Sequence, residues 1–190
     1  MNFANTRTRE TLPLFGDDGA TAGRELTIRF TSAQSWLGPV LVAATEKGVC
    51  AILLDDNPAR LRRQLAARFP EARLIEADAA LEALAAKVVG ALEAPGQSVD
   101  LPLDPHGSAF EQRVWQALRE IPAGAMASYS EIAARIGAPK EAYAVGEACA
   151  ANMIAVAIPC HRVVRKDGVL AGYRWGFWRK RALLKREGAP

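Results

Sequence analysis

Residues 128–151 run SYSEIAARIGAPKEAYAVGEACAA. Ser128 or Ser130 can accept from the first free amides of a short helix over Glu131–Ile136. Gly137-Ala138 then turns the chain. Pro139, whose missing N–H costs nothing in a first turn, opens a second helix reaching about Ala150. A short helix, a glycine turn and a second helix form the helix-turn-helix pattern, which many other helical hairpins share. The second helix carries little bulk: Ala142, Ala144, Gly146, Ala148, Ala150 and Ala151. Such a helix either packs closely in a core or approaches another backbone, as one entering a nucleic-acid groove does.

Upstream, Ser108 can cap a helix through Arg119 with Phe110, Val114, Trp115 and Leu118 as its apolar stripe. The character changes at Asp104-Pro105-His106-Gly107, where we place a domain boundary. Residues 25–104 read as a small α/β unit. Leu26–Phe30, Val40–Thr45, Val49–Leu54 and Val99–Leu103 read as strands, with a turn at Glu46-Lys47-Gly48. Helices are expected over Pro58–Phe69, with Leu61, Leu65 and Phe69 on one face, and over Ala79–Leu92 with Asp78 as cap. Residues 1–24 lack periodicity and read as a flexible leader.

The chain has 190 residues and a net charge of +3, unevenly spread. From Pro105 onward 13 Lys/Arg face 7 Asp/Glu, a charge of +6, which leaves −3 before it. A basic half suits a polyanion, or a solvated helix. No run approaches ~18 apolar residues and the N-terminus has no apolar signal core, so a cytoplasmic protein is expected. Three cysteines and two histidines form neither a disulfide framework nor a metal pattern. No metal or other cofactor is expected.

The chemistry concentrates at Pro159-Cys160-His161-Arg162-Val163. Cys50 and Cys149 read as small buried hydrophobes. Cys160 follows the strand-like run Ile154–Ile158 and precedes a titratable base and a cation, both able to lower a thiol pKa. In extended chain His161 points away from the thiol and reaches it through water. A third group, expected to be a carboxylate, should orient the imidazole.

These residues resemble the O6-alkylguanine-DNA alkyltransferases, above all the C-terminal part of the bacterial adaptive-response protein. The matching stretches are Phe110–Trp115, Ile121-Pro122 with Gly124, Ser128-Tyr129, Cys149–Asn152, Pro159–Val164 and Gly172–Gly176. The resemblance implies a ribonuclease H-like α/β domain packed on a helical, winged-helix-like domain. It implies repair of O6-alkylguanine, and of O4-alkylthymine, in double-stranded DNA. The base is flipped out and its alkyl group moves irreversibly to Cys160, once per molecule, in a monomer without cofactor. It further implies that His161 acts as base through a water and Glu187 orients it. Asn152 would hold the turn, and Tyr129 would read the guanine and help protonate it. Val163, Tyr173 and Arg174 would line the pocket, while Lys140, Ala142, Tyr143 and Gly146 face DNA.

One departure stands out. The family places an arginine where this chain has Tyr143. A tyrosine ring can wedge between bases but brings neither the charge nor the forked donors. Glu141 and Glu147 add negative charge beside it, against phosphate. The alternative is therefore a weakly active or non-catalytic binder of alkylated DNA.

Overall fold

The computed structural model describes residues 26–76, 79–94 and 101–189. The expected leader and the Asp78 cap lie outside them. Strands β1 (Thr27–Ser35), β2 (Gly38–Ala44) and β3 (Val49–Leu54) form an antiparallel meander. Strand β4 (Arg73–Glu76) joins β1 in parallel, giving the order β3-β2-β1-β4. Helix α1 (Pro58–Arg68) starts at an Asn57 side-chain cap with proline in its first turn. Helix α2 spans Ala79–Glu93.

Period-two alternation assigns the sheet its two faces. Ile28, Leu41, Ala43 and Leu53 pack with Leu61 and Leu65 of α1. Val40, Val42, Ile52 and Leu54 pack with Leu81, Leu84 and Val88 of α2. Because both faces are covered, β2 and β3 read as continuous apolar runs rather than alternating ones.

Two strands depart from expectation. β1 runs to Ser35, beyond Phe30, because its polar half Thr31–Ser35 pairs with β2 despite lacking an apolar pattern. β4 was not anticipated: only Leu74 and Ile75 separate its charged ends. Of the expected strand Val99–Leu103, residues 99–100 lie outside the described chain. Leu103 makes a single bridge to Val49.

The second half is helical. Helix α3 (Ala109–Arg119) begins at a reciprocal cap between Ser108 and Glu111. Ala127–Ser128 (β5) leads into α4 (Tyr129–Arg135), capped by Ser128 with Glu131 bonding back. Helix α5 covers Ala142–Ala151, not Pro139 onward. Pro139 lies in a turn closed by Glu141 N–H donating to Ala138 O, which delays the helix by three residues. Val163–Val164 (β6) pairs with β5, and α6 spans Phe177–Arg186.

One apolar cluster runs from α2 and the sheet into α3, α4, α5 and α6, so the two halves share a core. Backbone bonds join them too. Val49 N–H donates to Pro102 O (2.8 Å) and Asp104 N–H to Val49 O (2.9 Å). Further along β3, Ile52 N–H donates to Met153 O (2.8 Å) and Ala155 N–H to Ile52 O (2.9 Å). The segment Met153–Ala155 thus lies against the first sheet immediately before the cysteine turn.

Candidate active site

Asn152 ends α5, and its fully buried side chain organises the loop that leads to Cys160. Its Oδ1 accepts from Ile154 N–H (2.8 Å), while Nδ2 donates to Ile158 O (3.0 Å) and to Cys160 Sγ (3.2 Å). The run Ile154–Ile158, expected to be strand-like, is instead a tight loop with Ala155 bridged to Ile158. Val156 sits at φ +66°, a left-handed conformation that a β-branched residue adopts only when its surroundings impose it.

Cys160–Arg162 form one 3-10 turn rather than extended chain, because the loop closes on itself: Cys160 N–H bonds Ile158 O and Arg162 N–H bonds Pro159 O. Cys160, His161 and Asn152 are all buried. Cys50 and Cys149 are buried in the core, as expected of small hydrophobes.

The carboxylate is Glu187, just beyond α6. Its Oε1 lies 2.9 Å from His161 Nε2, and Arg162 donates to it twice, Nε to Oε2 (3.0 Å) and Nη2 to Oε1 (2.8 Å). Burial alone would raise this carboxyl. The hydrogen bonds from His161 and Arg162, with the charge of Arg162, overcome that and hold it at about 2. Burial also holds His161 below its ordinary value against the pull of Glu187, so the ring is neutral at pH 7. With Nε2–H donated to Glu187, Nδ1 keeps its lone pair. It is buried with no partner among the described residues, the state of a base awaiting a proton.

The thiol itself corrects an expectation. Burial pushes Cys160 up to about 11, only partly offset by the Asn152 hydrogen bond and the charges of Lys180 and Arg174. Arg162, expected to activate it, directs its guanidinium to Glu187 and to Ile121 O. His161 is neutral and supplies no charge. The resting group is a protonated thiol, stable until a partner removes its proton.

Lys180 was not foreseen. It is fully buried on α6, and its Nζ donates to Val163 O (2.6 Å). The available signal was its place on one helical face with Leu183, Leu184 and Glu187, a charge on an apolar stripe.

The remaining residues fall into two groups. Tyr129, half-buried at the start of α4, lies over α5: a Cβ added at Gly146 would be 3.8 Å from its ring. Burial, then the neighbouring Cys149 and Cys160, pushes its hydroxyl up to about 12. Tyr173 presents its ring edge-on to His161 (6.3 Å) and to the core residue Trp175 (5.2 Å), and its hydroxyl is buried without a partner among the described residues. Arg174 is exposed and donates to Ala150 O (2.8 Å). The second group is outward. Tyr143 is 80% exposed, and Lys140, Glu141 and Glu147 are exposed with it. Ala142 and Gly146 are partly covered, while Val145, Ala148 and Cys149 form the core face of α5. The small residues thus serve close packing on one side and a low surface on the other.

Among the described residues no three His, Cys, Asp or Glu side chains group as metal ligands. No helix among them is long and apolar enough to cross a membrane.

Fold and site together define an α/β sheet domain joined to a helix-turn-helix domain that holds a buried cysteine beside a histidine–carboxylate pair. The ribonuclease-like domain of 6-O-methylguanine DNA methyltransferase matches residues 28–105, and the DNA binding domain of the same family matches residues 109–189. The chain is 47% identical over 178 residues to the bifunctional transcriptional activator/DNA repair enzyme Ada of Escherichia coli, covering 94% of this chain and 50% of that protein. It spans about half the length of that relative and of the regulatory protein ada of Salmonella typhimurium. To the inducible methylated-DNA–protein-cysteine methyltransferase of Bacillus subtilis it is 40% identical, over 77% of this chain and 82% of that one. The crystal structure of Mycobacterium tuberculosis OGT in complex with DNA superposes with a TM-score of 0.66 at 36% identity, over 87% of this chain and 96% of that one. This chain belongs to the 6-O-methylguanine DNA methyltransferase family.

Proposed function

We propose that this chain repairs O6-alkylguanine, and O4-alkylthymine, in double-stranded DNA by moving the alkyl group to Cys160. The observation that carries this reading is the buried Cys160 thiol, bonded by Asn152 and adjacent to a His161 whose other nitrogen is fixed by Glu187. Residues 25–104 and 105–190 act as its two units, in a cytoplasmic monomer without cofactor.

The alkylated base leaves the stack and enters beside the thiol, since an atom in the duplex is out of reach. His161 Nδ1 takes the thiol proton through a water, and Glu187 stabilises the imidazolium formed. Sγ then attacks the alkyl carbon: the C–S bond forms as the C–O bond breaks, and the electron pair goes to the guanine. Tyr129 donates a proton to the leaving base and is restored by the proton held on His161. Val163, Tyr173 and Arg174 line the pocket. A thioether is not hydrolysed, so each molecule reacts once.

Lys140, Ala142, Tyr143 and Gly146 form the DNA-facing surface. Without the arginine and with Glu141 and Glu147 beside it, this surface binds duplex weakly, while the thiol chemistry is untouched. The methyltransferase names of the relatives, and a cysteine at position 160, weigh against a binder that only marks lesions.

Incubation with a duplex containing O6-methylguanine should place one methyl group on Cys160, read by mass spectrometry of the peptide. The Cys160→Ser variant should take none. Tight binding with no mass change on the parent chain would sink the transfer reading.

A further inference from the structure

Resting on the transfer reaction above, we propose that Arg179 is a positioning residue: its guanidinium ties the Tyr173–Trp175 wall of the thiol pocket to the Ser35–Gly38 turn of the first sheet. Arg179 is 3% exposed on the first turn of α6. Its Nε donates to Leu37 O (2.8 Å), Nη1 donates to Trp175 O (2.8 Å), and Nη2 pairs with Asp56 Oδ1. The group also lies over the Trp178 ring at 4.4 Å. One planar fork thus ties Trp175, one turn before it, to Leu37 and Asp56 in the first half of the chain.

Each anchor is fixed by its own surroundings. The Leu37 carbonyl belongs to a tight turn in which Ser35 Oγ donates to Gly38 O (2.8 Å) and accepts from Leu37 N–H (3.2 Å). Gly38 adopts φ +96°, and a Cβ there would stand 3.3 Å from Arg179 Nη2, so the arginine fills the space beside the turn. The Asp56 carboxylate is 78% exposed, which makes its ion pair the weakest of the three anchors. Geometry is what the arginine supplies, and a lysine ammonium cannot reproduce a fork to three acceptors.

The same helix reaches the thiol from its other side. Lys180 holds Val163 O, and Glu187 holds His161. Arg179 touches none of the reacting groups. It fixes Trp175 O, two residues from Tyr173, whose ring stands against His161. Loosening it shifts the pocket wall while leaving thiol, base and carboxylate in place. A misplacement of about 1 Å in a reacting complex can cost ~100-fold in rate.

The test uses Arg179→Lys and Asp56→Asn in the full chain, with single-turnover transfer from an O6-methylguanine duplex. Duplex affinity is read separately by fluorescence anisotropy, and the rate is followed against pH. For Arg179→Lys the rate at saturating duplex should fall about 10-fold or more. Duplex affinity and the shape of the pH profile should match the parent. Asp56→Asn should slow transfer less. A folded Arg179→Lys protein that transfers at the parent rate, or loses only duplex affinity, overturns the proposal. Should Arg179→Lys fail to fold, Asp56→Asn decides: slower saturated transfer supports the clamp, and the parent rate overturns it. A parent chain that transfers nothing refutes the proposed function instead. Hydrogen exchange then reads the clamp by itself: the amides of Gly172–Gly176 should exchange faster in either folded variant, and unchanged exchange rejects it.

Discussion

Asn152 commits its whole amide to the cysteine turn, with one acceptor and two donor contacts. Asn152→Ala leaves Ile154 N–H unpaired in the interior and strips Ile158 O of one of its two donors, so stability should fall by about 1–3 kcal/mol in urea unfolding. It also removes a hydrogen bond that favours the thiolate, so the thiol should rise further above about 11. Alkylation of Cys160 by iodoacetamide, followed by mass, should keep accelerating beyond pH 9 in the parent and do so at still higher pH in the variant. Glu187 gives a second pH effect. Its carboxyl is held at about 2 against an ordinary 4.5, so the ionised form stabilises fully above pH 4.5. That contribution disappears as pH falls through about 2. Glu187→Gln should remove this part of the acid dependence from urea midpoints measured between pH 5 and 2. At this scale the buried thiol and the histidine beside it were legible because they adjoin in one run. Glu187 was accessible only through resemblance, since nothing local marks a partner that far along the chain. The thiol's acidity was misjudged because burial, which outweighs neighbouring charge here, is not written in a motif.

Helix α5 presents Tyr143 to solvent between Glu141 and Glu147. Tyr143→Arg adds one cation to the surface proposed above to face DNA. Duplex affinity should rise, and the slope of log affinity against log salt should steepen by about 1. An unchanged slope in anisotropy titrations would show that position 143 does not face phosphate. Element types were largely readable: capping residues announced α3 and α4, and the spacing of Leu61, Leu65 and Phe69 announced α1. Errors fell where a local signal served another purpose. Pro139 closes a turn rather than opening a helix, and the apolar run before Cys160 is a loop held by one buried amide. β4 is too short and too charged to show a period, and exists through its pairing with β1.

At the scale of the molecule, the sheet half and the helical half were legible from the change of pattern along the chain. Their seam was not, because it is built from backbone groups and from Arg179, which composition treats as surface. The seam has a consequence for solubility. β3 is an outer strand of the first sheet, and its free backbone groups are engaged by Pro102–Asp104 and by Met153–Ala155. An open strand edge is a template on which other chains add. Residues 26–104 produced alone should therefore associate through β3, seen by size-exclusion chromatography. Adding residues 105–190 as a separate chain should return them to a one-to-one complex, and a monomeric 26–104 fragment would contradict this. The few residues that lead into the cysteine thus also serve as a guard against self-association, so substitutions there can lower the yield of folded protein without touching the chemistry.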